Sequence, residues 1–135
     1  MKTKYSWTMF EMDTKRIADK IKKDRTIVKN IYGIPRGGLI IAVKFSHLLG
    51  KSMITDERQI TPLTLVVDDI SDEGKTLLKY RNNIIATLHY VKSSLVKPDY
   101  FARFKDIDDW VEYPWESFEK IQRKSGKVSK QPKDI

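Results

Sequence analysis

Apolar and polar positions along the chain form segments that are typical of an α/β protein. A surface helix is expected over about 9–23, where apolar residues recur at helical spacing and Thr8 and Glu11 have the spacing of a capping box. A second and more apolar helix is expected over 39–49, closed by Gly50 at its C-terminal end. The pattern therefore predicts one helix with a solvated face and one that is largely buried.

Short apolar and β-branched runs between these helices predict strands. Strands are expected within 26–34, ending near Tyr32, and at 53–55, 64–69 and 84–91, with a short helix over 75–82. The run at 64–69 is apolar until it ends on two carboxylates, as expected for a central parallel strand covered on both faces. A strand, a glycine turn and a helix, repeated twice and followed by another strand, favour an α/β fold with a doubly wound parallel sheet.

Two turns carry the candidate chemistry. Right-handed crossovers bring the carboxyl ends of parallel strands to one edge of the sheet, so the turns at 35–38 and 68–76 should face one another across a crevice. The second turn holds three carboxylates within five positions, Asp68, Asp69 and Asp72. Carboxylates in that number are too costly to bury for packing alone, and they need cationic, hydroxyl or metal partners. A site for a phosphorylated sugar meets that need.

The backbone of the second turn is suited to an anion. Gly74 permits conformations that are closed to other residues, and the amides of 72–76 can point inward together as an anion nest at the start of the following helix. Thr76 adds a hydroxyl donor. An ordinary strand-to-helix turn with an aspartate cap would explain Asp72 and Gly74, but it does not explain two acids directly after a buried strand.

The composition limits the function classes. The chain has 135 residues, enough for one domain with a real core, and we expect that domain over 1–118 with a basic tail over 119–135. The absence of cysteine excludes disulfides and thiolate metal sites, and only His47 and His89 could offer imidazole, which disfavours a zinc centre. No apolar run is long enough to span a membrane and no signal peptide is evident, so a cytoplasmic location is expected.

The net charge of +8 is unevenly distributed. The segment 119–135 holds six basic residues against two acidic ones, which accounts for half of the excess. The two interpretations left open are a solvated, frayed terminus and electrostatic steering of an anionic substrate. Because basic and aromatic residues are not interleaved in any patch, stable nucleic-acid binding is not expected.

Three segments, in order along the chain, resemble motifs of one family. The segment 66–76 is similar to the phosphoribosyl-diphosphate loop of the type I phosphoribosyltransferases, and 32–39 is similar to their diphosphate loop. The segment 109–116 resembles the C-terminal signature of the bacterial xanthine-guanine phosphoribosyltransferases. The resemblance implies a parallel sheet with helices on both sides and a small C-terminal hood, in agreement with the pattern.

The resemblance also implies an activity. The chain would transfer the phosphoribosyl group from phosphoribosyl diphosphate to a 6-oxopurine (guanine, xanthine or hypoxanthine), with Mg²⁺ as the cofactor and a homodimer or homotetramer as the assembly. Asp72 would be the catalytic residue, accepting or donating a proton at purine N7, and Asp68 and Asp69 would engage the ribose hydroxyls, one of them through the metal ion.

The remaining roles are assigned by the same resemblance. The residues that would bind the ribose, the 5′-phosphate and the diphosphate are Arg36, Gly37, Asp68, Asp69, Asp72, Glu73, Gly74, Lys75 and Thr76. The residues that would contact the purine are Lys92 at its 6-oxo group, Trp110 by stacking, and Val111 and Glu116 near its 2-position. Each has an ordinary alternative, since Lys92 could be a solvated lysine, Trp110 and Trp115 could be core aromatics, and His89 is expected to be structural.

Two departures from the family leave alternatives open. Glu73 stands where the family has a threonine that donates to the 5′-phosphate, so an inward Glu73 would repel the phosphate while an outward one would leave the backbone nest intact. Only 53–62 lies where the family has a long mobile loop. These departures favour a second hypothesis, a non-catalytic nucleotide or phosphoribosyl-diphosphate sensor that keeps the fold.

Overall fold

The computed structural model describes residues 1–116, so the predicted basic tail at 119–135 and the end of the predicted domain lie outside the described residues. The strands are β1 (Lys2–Lys4), β2 (Asn30–Gly33), β3 (Ser52–Ile54), β4 (Thr64–Ser71), β5 (Ile84–Tyr90), β6 (Tyr100–Phe104) and β7 (Trp110–Glu112). The helices are α1 (Trp7–Lys23) and α2 (Gly37–Leu49), and short 3-10 helices occupy Glu57–Gln59, Leu77–Tyr80 and Pro114–Glu116.

The central feature is a parallel sheet of five strands in the order β3-β2-β4-β5-β6. Strand β4 lies in the middle, and every one of its residues is buried. Val66 at its centre pairs with Tyr32 of β2 on one side and with Ile85 of β5 on the other. A strand covered on both faces can be continuously apolar, which is the pattern that the sequence shows at this position. The predicted α/β fold class with a parallel sheet is confirmed.

The two faces of the sheet are covered differently. Residues 65 and 67 of β4 belong to a large cluster that includes the apolar sides of α1 and α2, while Val66 between them belongs to a separate cluster on the opposite face. That second cluster is completed by Leu77 and Tyr80 and by Ile60. Alternate residues of a strand point to opposite faces, so both α-helices cover one face and short 3-10 segments cover the other.

The ends of the α-helices follow ordinary capping chemistry. The side chain of Ser6 accepts a hydrogen bond from the amide of Met9 at 3.1 Å, so α1 begins two residues earlier than expected. The capping-box prediction at Thr8 and Glu11 is therefore wrong, because the serine upstream satisfies the first free amides. The predicted end of α2 is confirmed, since Gly50 adopts a left-handed conformation with a φ of 65°.

The helix expected over 75–82 is only a 3-10 helix, Leu77–Tyr80. Leu77 and Tyr80 are its buried residues, and the three-residue period of a 3-10 helix places both on the side that faces the sheet. No side chain caps its first turn. The segment is thus held by tertiary packing, and the anion turn before it does not precede an α-helix.

The hood combines both ends of the described chain. Strand β1 pairs in parallel with β7, with Lys2 opposite Trp110 and Lys4 opposite Glu112. The Lys2 ammonium lies 2.9 Å from the Glu112 carboxylate, and the amino terminus lies 3.3 Å from Asp109. The resemblance implied a C-terminal hood, and the structure adds an N-terminal strand to it.

A buried carboxylate joins α1 to the sheet and to the segment after β1. Asp13 is 1% exposed and accepts hydrogen bonds from Tyr5 at 2.6 Å and from the Nε of Arg103 at 2.7 Å. A second guanidinium nitrogen of Arg103 lies 3.3 Å from the other carboxylate oxygen. Burial and the hydrogen bond to Asp13 together raise the pKa of Tyr5. Three distant parts of the chain therefore meet at one charge.

Within residues 1–116, neither α-helix has the length and the apolar character that crossing a bilayer requires.

Candidate functional site

The carboxyl end of β4 places two acids side by side in the interior. Asp68 and Asp69 are both buried, and Asp68 Oδ1 accepts a hydrogen bond from the Asp69 amide at 2.8 Å. The Asp69 carbonyl accepts a hydrogen bond from the Tyr113 hydroxyl at 3.2 Å. Because β4 is the central strand, these groups lie at the middle of the sheet edge, where ligands of open α/β sheets bind.

The turn before α2 packs directly on this strand end. A Cβ atom added at Gly37 would collide with the Asp69 carboxylate, and one added at Gly38 would lie 2.5 Å from the Val67 carbonyl oxygen. Only glycine permits this approach, so the two turns are in contact, as the crossover rule predicts. Arg36 is exposed at the N-cap of α2, and the peptide bond before it is cis.

The turn over 72–76 is shaped by glycine. Gly74 has a φ of 88°, and a Cβ atom there would lie 2.5 Å from the Ser94 hydroxyl oxygen. The Leu95 amide donates to the Glu73 carbonyl at 2.9 Å, which ties this turn to the segment after β5. The Glu73 side chain is 46% exposed, and its carboxylate lies 3.6 Å from the Lys75 ammonium. The carboxylate is thus accessible to solvent, beside a neutralising charge.

A cleft of about 1060 Å³ opens at this edge of the sheet. The predicted site residues that line it are Asp72, Glu73, Gly74, Lys75, Thr76 and Trp110, and its other walls come from the segments that follow β5 and β6. The predicted residues that do not line it are Arg36, Gly37, Asp68, Asp69, Lys92, Val111 and Glu116. The structure therefore brings the second turn and the hood together around one space, with the first turn adjacent to it.

Three residues that were predicted to contact a purine lie away from the cleft. Lys92 is exposed, and its ammonium lies 4.9 Å from the centre of the Phe104 ring. Val111 is buried in the main apolar cluster. Glu116 is buried and accepts a hydrogen bond from the Tyr113 amide at 3.0 Å. Their side chains are engaged in packing, and the structure does not bring them to the cleft.

Trp115 packs in the core, whereas Trp110 lines the cleft. Trp115 stacks on Tyr113 with ring centres 5.0 Å apart and also packs against Phe10, so it is a core aromatic. Trp110 is half-buried and lines the cleft opposite the turn that carries Asp72. Aromatic side chains at the wall of a cleft can stack on planar ligands.

Sequence reasoning missed a lysine that lies inside the cleft. Lys105 directly follows β6, its side chain is 2% exposed, and its ammonium lies 3.7 Å from the Asp72 carboxylate. The signal that could have found it is the enrichment in aromatic residues over 100–104, which is typical of a strand and places the next residue at the same sheet edge. Strand β6 was not predicted, so the lysine at its end was not considered.

A buried chain of hydrogen bonds stabilises the carboxyl end of β4. The His89 ring lies 2.8 Å from the Tyr113 hydroxyl through Nδ1, and that hydroxyl donates to the Asp69 carbonyl. Burial lowers the pKa of His89 from 6.5 to about 4, so the ring is neutral at physiological pH. A neutral ring that donates from Nδ1 fits this chain of hydrogen bonds. His89 is therefore structural, as expected from its apolar neighbours.

The lowered pKa of His89 predicts an acid-sensitive fold. The unfolded chain binds more protons than the folded one between the ordinary pKa of 6.5 and the folded pKa of about 4, so stability falls as the pH falls through that window. We expect the free energy of unfolding to drop by about 2–3 kcal/mol from this group between about pH 7 and about pH 4.5. Urea unfolding at both pH values measures it.

The control for this prediction is the exposed histidine, His47. His47→Asn should keep the acid sensitivity of the parent chain, whereas His89→Asn should lose the part that its ring contributes. Equal pH dependence in both variants would show that His89 does not titrate as its burial requires.

The sequence and the structure were compared with those of known proteins. Neither a family model nor a curated protein matches the sequence. Among solved structures, the chain is similar to a purine phosphoribosyltransferase from Pyrococcus horikoshii, with 28% identity and a TM-score of 0.72 over 87% of this chain and 95% of that one. The chain has the fold of the type I phosphoribosyltransferases.

Two further structures share this fold at lower identity. The xanthine-guanine-hypoxanthine phosphoribosyltransferase of Helicobacter pylori is 21% identical, with a TM-score of 0.69 over 92% of this chain and 99% of that one. A hypothetical protein from Neisseria gonorrhoeae with bound ppGpp is also 21% identical, with a TM-score of 0.69 over 93% and 96% of the two chains. The likeness to these two chains shows the phosphoribosyltransferase fold.

In this phosphoribosyltransferase fold, the short interval between β3 and β4 is attached to the 3-10 helix Leu77–Tyr80. Its 3-10 helix, Glu57–Gln59, is attached through Glu57, which accepts a hydrogen bond from the Tyr80 hydroxyl at 2.5 Å and lies 2.7 Å from the Lys79 ammonium. The segment thus lies against the 3-10 helix that follows the anion turn.

Proposed function

We propose that this chain is a purine phosphoribosyltransferase that converts a 6-oxopurine (guanine, xanthine or hypoxanthine) and phosphoribosyl diphosphate into the nucleoside monophosphate and diphosphate. The observation that carries the proposal is the cleft in which Asp72 and its turn meet Trp110, in a chain 28% identical to a purine phosphoribosyltransferase. A group that binds phosphate and a group that stacks on a base thereby face one space.

The sugar-phosphate half of the substrate would lie along the two touching turns. Backbone amides over 72–76 and the Thr76 hydroxyl would hold the 5′-phosphate, and Asp68 and Asp69 would engage the ribose hydroxyls. Arg36, exposed at the start of α2, would meet the diphosphate, for which a guanidinium is well suited. The Lys75 ammonium, 3.6 Å from the Glu73 carboxylate, supports this arrangement because it offsets a negative charge that would otherwise repel the phosphate.

Mg²⁺ fits the acids at the end of β4. Among residues 1–116, no group of three or more His, Cys, Asp and Glu side chains lies together as a metal cage. Mg²⁺ is commonly held by one or two carboxylates together with substrate phosphates, so Asp68 and Asp69 suffice as the protein's share of the ligands. When bound, the ion would neutralise negative charge that develops on the leaving diphosphate.

The reaction exchanges one bond at C1′ for another. The bond between C1′ and the diphosphate oxygen breaks, and its electron pair leaves with the diphosphate. The purine N9 lone pair forms the new bond to C1′, while the proton on N7 passes to the Asp72 carboxylate. Trp110 would hold the base in the attacking position, and positioning of two reactants accounts for much of the acceleration in such reactions. Arg36 and the backbone amides would stabilise the diphosphate charge.

A purine panel tests the proposal. The chain is incubated with phosphoribosyl diphosphate, Mg²⁺ and each of guanine, xanthine, hypoxanthine and adenine, and nucleotide formation is followed. We expect nucleotide from at least one 6-oxopurine and far less from adenine. Absence of product with every base, despite measurable binding of phosphoribosyl diphosphate, would reject the enzyme.

A second candidate function is a nucleotide sensor that keeps the fold without catalysis. It is favoured by the similar Neisseria gonorrhoeae structure with bound ppGpp and by Glu73, which replaces a threonine of the family motif. A sensor of this kind would bind ppGpp or phosphoribosyl diphosphate and yet form no product in the purine panel. Calorimetric titration with both compounds, run beside the panel, separates the two functions.

A further inference from the structure

Two buried titratable side chains, Tyr113 and His89, take no part in the proposed reaction. They are 0% and 4% exposed, and the Tyr113 hydroxyl lies 2.8 Å from the His89 Nδ1 and donates to the Asp69 carbonyl at 3.2 Å. Burial raises the pKa of Tyr113 well above its ordinary value, so the hydroxyl keeps the proton that it donates. A phenylalanine beside an aliphatic residue would fill the same space without buried polar atoms, so packing alone does not require this pair.

The hydroxyl donates to a part of β4 that one neighbouring strand supports. The pairs between β2 and β4 end at Gly33 and Val67. Beyond Val67, the pairs that the structure describes for β4 are with β5 alone, as far as Ser71. The Asp69 carbonyl lies in this part, and Tyr113 directly follows β7 of the hood. The hood therefore supplies a hydrogen bond where the ladder with β2 has ended.

The backbone of Asp69 controls the position of both acids. Its amide donates to Asp68 Oδ1 at 2.8 Å, and its carbonyl accepts from Tyr113. Its own carboxylate lies against the first turn, since a Cβ atom added at Gly37 would be 2.3 Å from Asp69 Oδ2. Peptide groups are rigid planes, so a rotation of the backbone at Asp69 would move both carboxylates together.

We propose that Tyr113 is a positioning residue for the sugar, and that its hydroxyl holds Asp68 and Asp69 in the arrangement that accepts hydrogen bonds from a ribose. His89 holds the hydroxyl in its donating orientation. This inference rests on the proposed function for the binding of a sugar phosphate, and it applies equally to an enzyme and to a sensor. Carboxylates held in this way distinguish a ribose from a deoxyribose, because the deoxy sugar leaves an acceptor unpaired.

The test uses two sugar phosphates that differ in one hydroxyl. Affinities for ribose 5-phosphate and 2-deoxyribose 5-phosphate are measured with Mg²⁺ by NMR titration, for the parent chain and for Tyr113→Phe. We expect the parent to prefer ribose 5-phosphate, and Tyr113→Phe to reduce that preference by about 5- to 10-fold, the value of one hydrogen bond. The preference is a ratio of two affinities, so a loss of folded protein common to both titrations cancels.

A double variant separates positioning from stability. Tyr113→Phe alone leaves the His89 N–H without the hydroxyl that it contacts, whereas Tyr113→Phe with His89→Leu replaces both polar partners by apolar groups. The double variant should unfold near the urea concentration of the parent chain and still show the reduced preference. Tyr100→Phe is the matched control, because its buried hydroxyl contacts Thr26 and Asp24 and its strand begins at this residue, at the other edge of the sheet. Its preference should equal that of the parent.

The outcomes distinguish this inference from the proposed function. An unchanged preference in the double variant, an equal loss in Tyr100→Phe, or no preference in the parent chain would each overturn the role of Tyr113. The measurements need no turnover, so they remain decisive when the purine panel yields no nucleotide. A negative panel would reject the enzyme, and a preference that depends on Tyr113 would still establish the positioning of the acids.

Discussion

Replacement of Asp72 by asparagine is expected to lower kcat by about 10²- to 10⁴-fold, which is the usual contribution of a positioned acid or base. The amide keeps the shape of the side chain and can still contact N7, but it cannot take the proton that leaves the base. The Kd for phosphoribosyl diphosphate should change little, because in the proposed function the 5′-phosphate and the diphosphate would be held by other groups. Steady-state kinetics and calorimetry with phosphoribosyl diphosphate measure the two effects separately.

The neighbouring exposed acid provides the control for this variant. Asp106→Asn also removes one negative charge near Lys105, but its carboxylate is exposed and does not line the cleft, so kcat should stay near the parent value. A parallel loss of turnover and of phosphoribosyl-diphosphate affinity in Asp72→Asn would contradict the acid–base role, since it would show that Asp72 serves binding instead.

Replacement of Asp13 by alanine should produce the largest loss of stability. The change leaves the buried Tyr5 hydroxyl and the Arg103 guanidinium, whose side chain is 36% exposed, without the carboxylate that both of them contact. Because Arg103 can be hydrated in the variant, the main loss is the buried hydrogen bond from Tyr5 to a charged group, and we expect a cost of about 1.5–3 kcal/mol. The free energy of unfolding in urea measures this cost.

Asp19 on the same helix allows a matched comparison. Asp19 is exposed, so Asp19→Ala carries the same change in helix propensity without any buried partner, and it should alter stability by less than about 0.5 kcal/mol. Asp13→Asn should fall between the two, since an amide keeps the shape and loses the charge. If Asp13→Ala and Asp19→Ala unfold at the same urea concentration, the buried pair contributes no net stability.

The sequence was most informative where local periodicity and burial coincide. Strand β4 and helix α2 were predicted well, because a strand buried on both faces must be apolar and because Gly50 can end a helix in the left-handed conformation. Prediction was poorest where tertiary packing decides the local structure. The segment over 75–82 has helical composition, but it is shaped as a 3-10 helix by the burial of Leu77 and Tyr80 on the sheet.

In the candidate site, too, some features were predictable from the local sequence and others depended on tertiary packing. The turn from Asp68 to Thr76 was evident in the sequence, since acids directly after a buried strand are too costly to place there for packing. Lys105 was not evident, because a lysine carries no pattern of its own and its strand was not predicted. Lys92 was assigned through a motif, and a motif fixes the order of residues but not the direction in which a long side chain points.

By itself, then, the sequence determined the α/β class, the central strand and the acidic turn at its end, since each follows from local hydrophobicity, charge and glycine placement. Only the tertiary structure decided that Glu73 lies at the surface beside Lys75, that Asp13 joins α1 to Arg103, and that the lysine beside Asp72 is Lys105. The physical reason is that such contacts depend on which groups the packed sheet leaves desolvated. Desolvation is a property of the whole fold, and no short segment carries it.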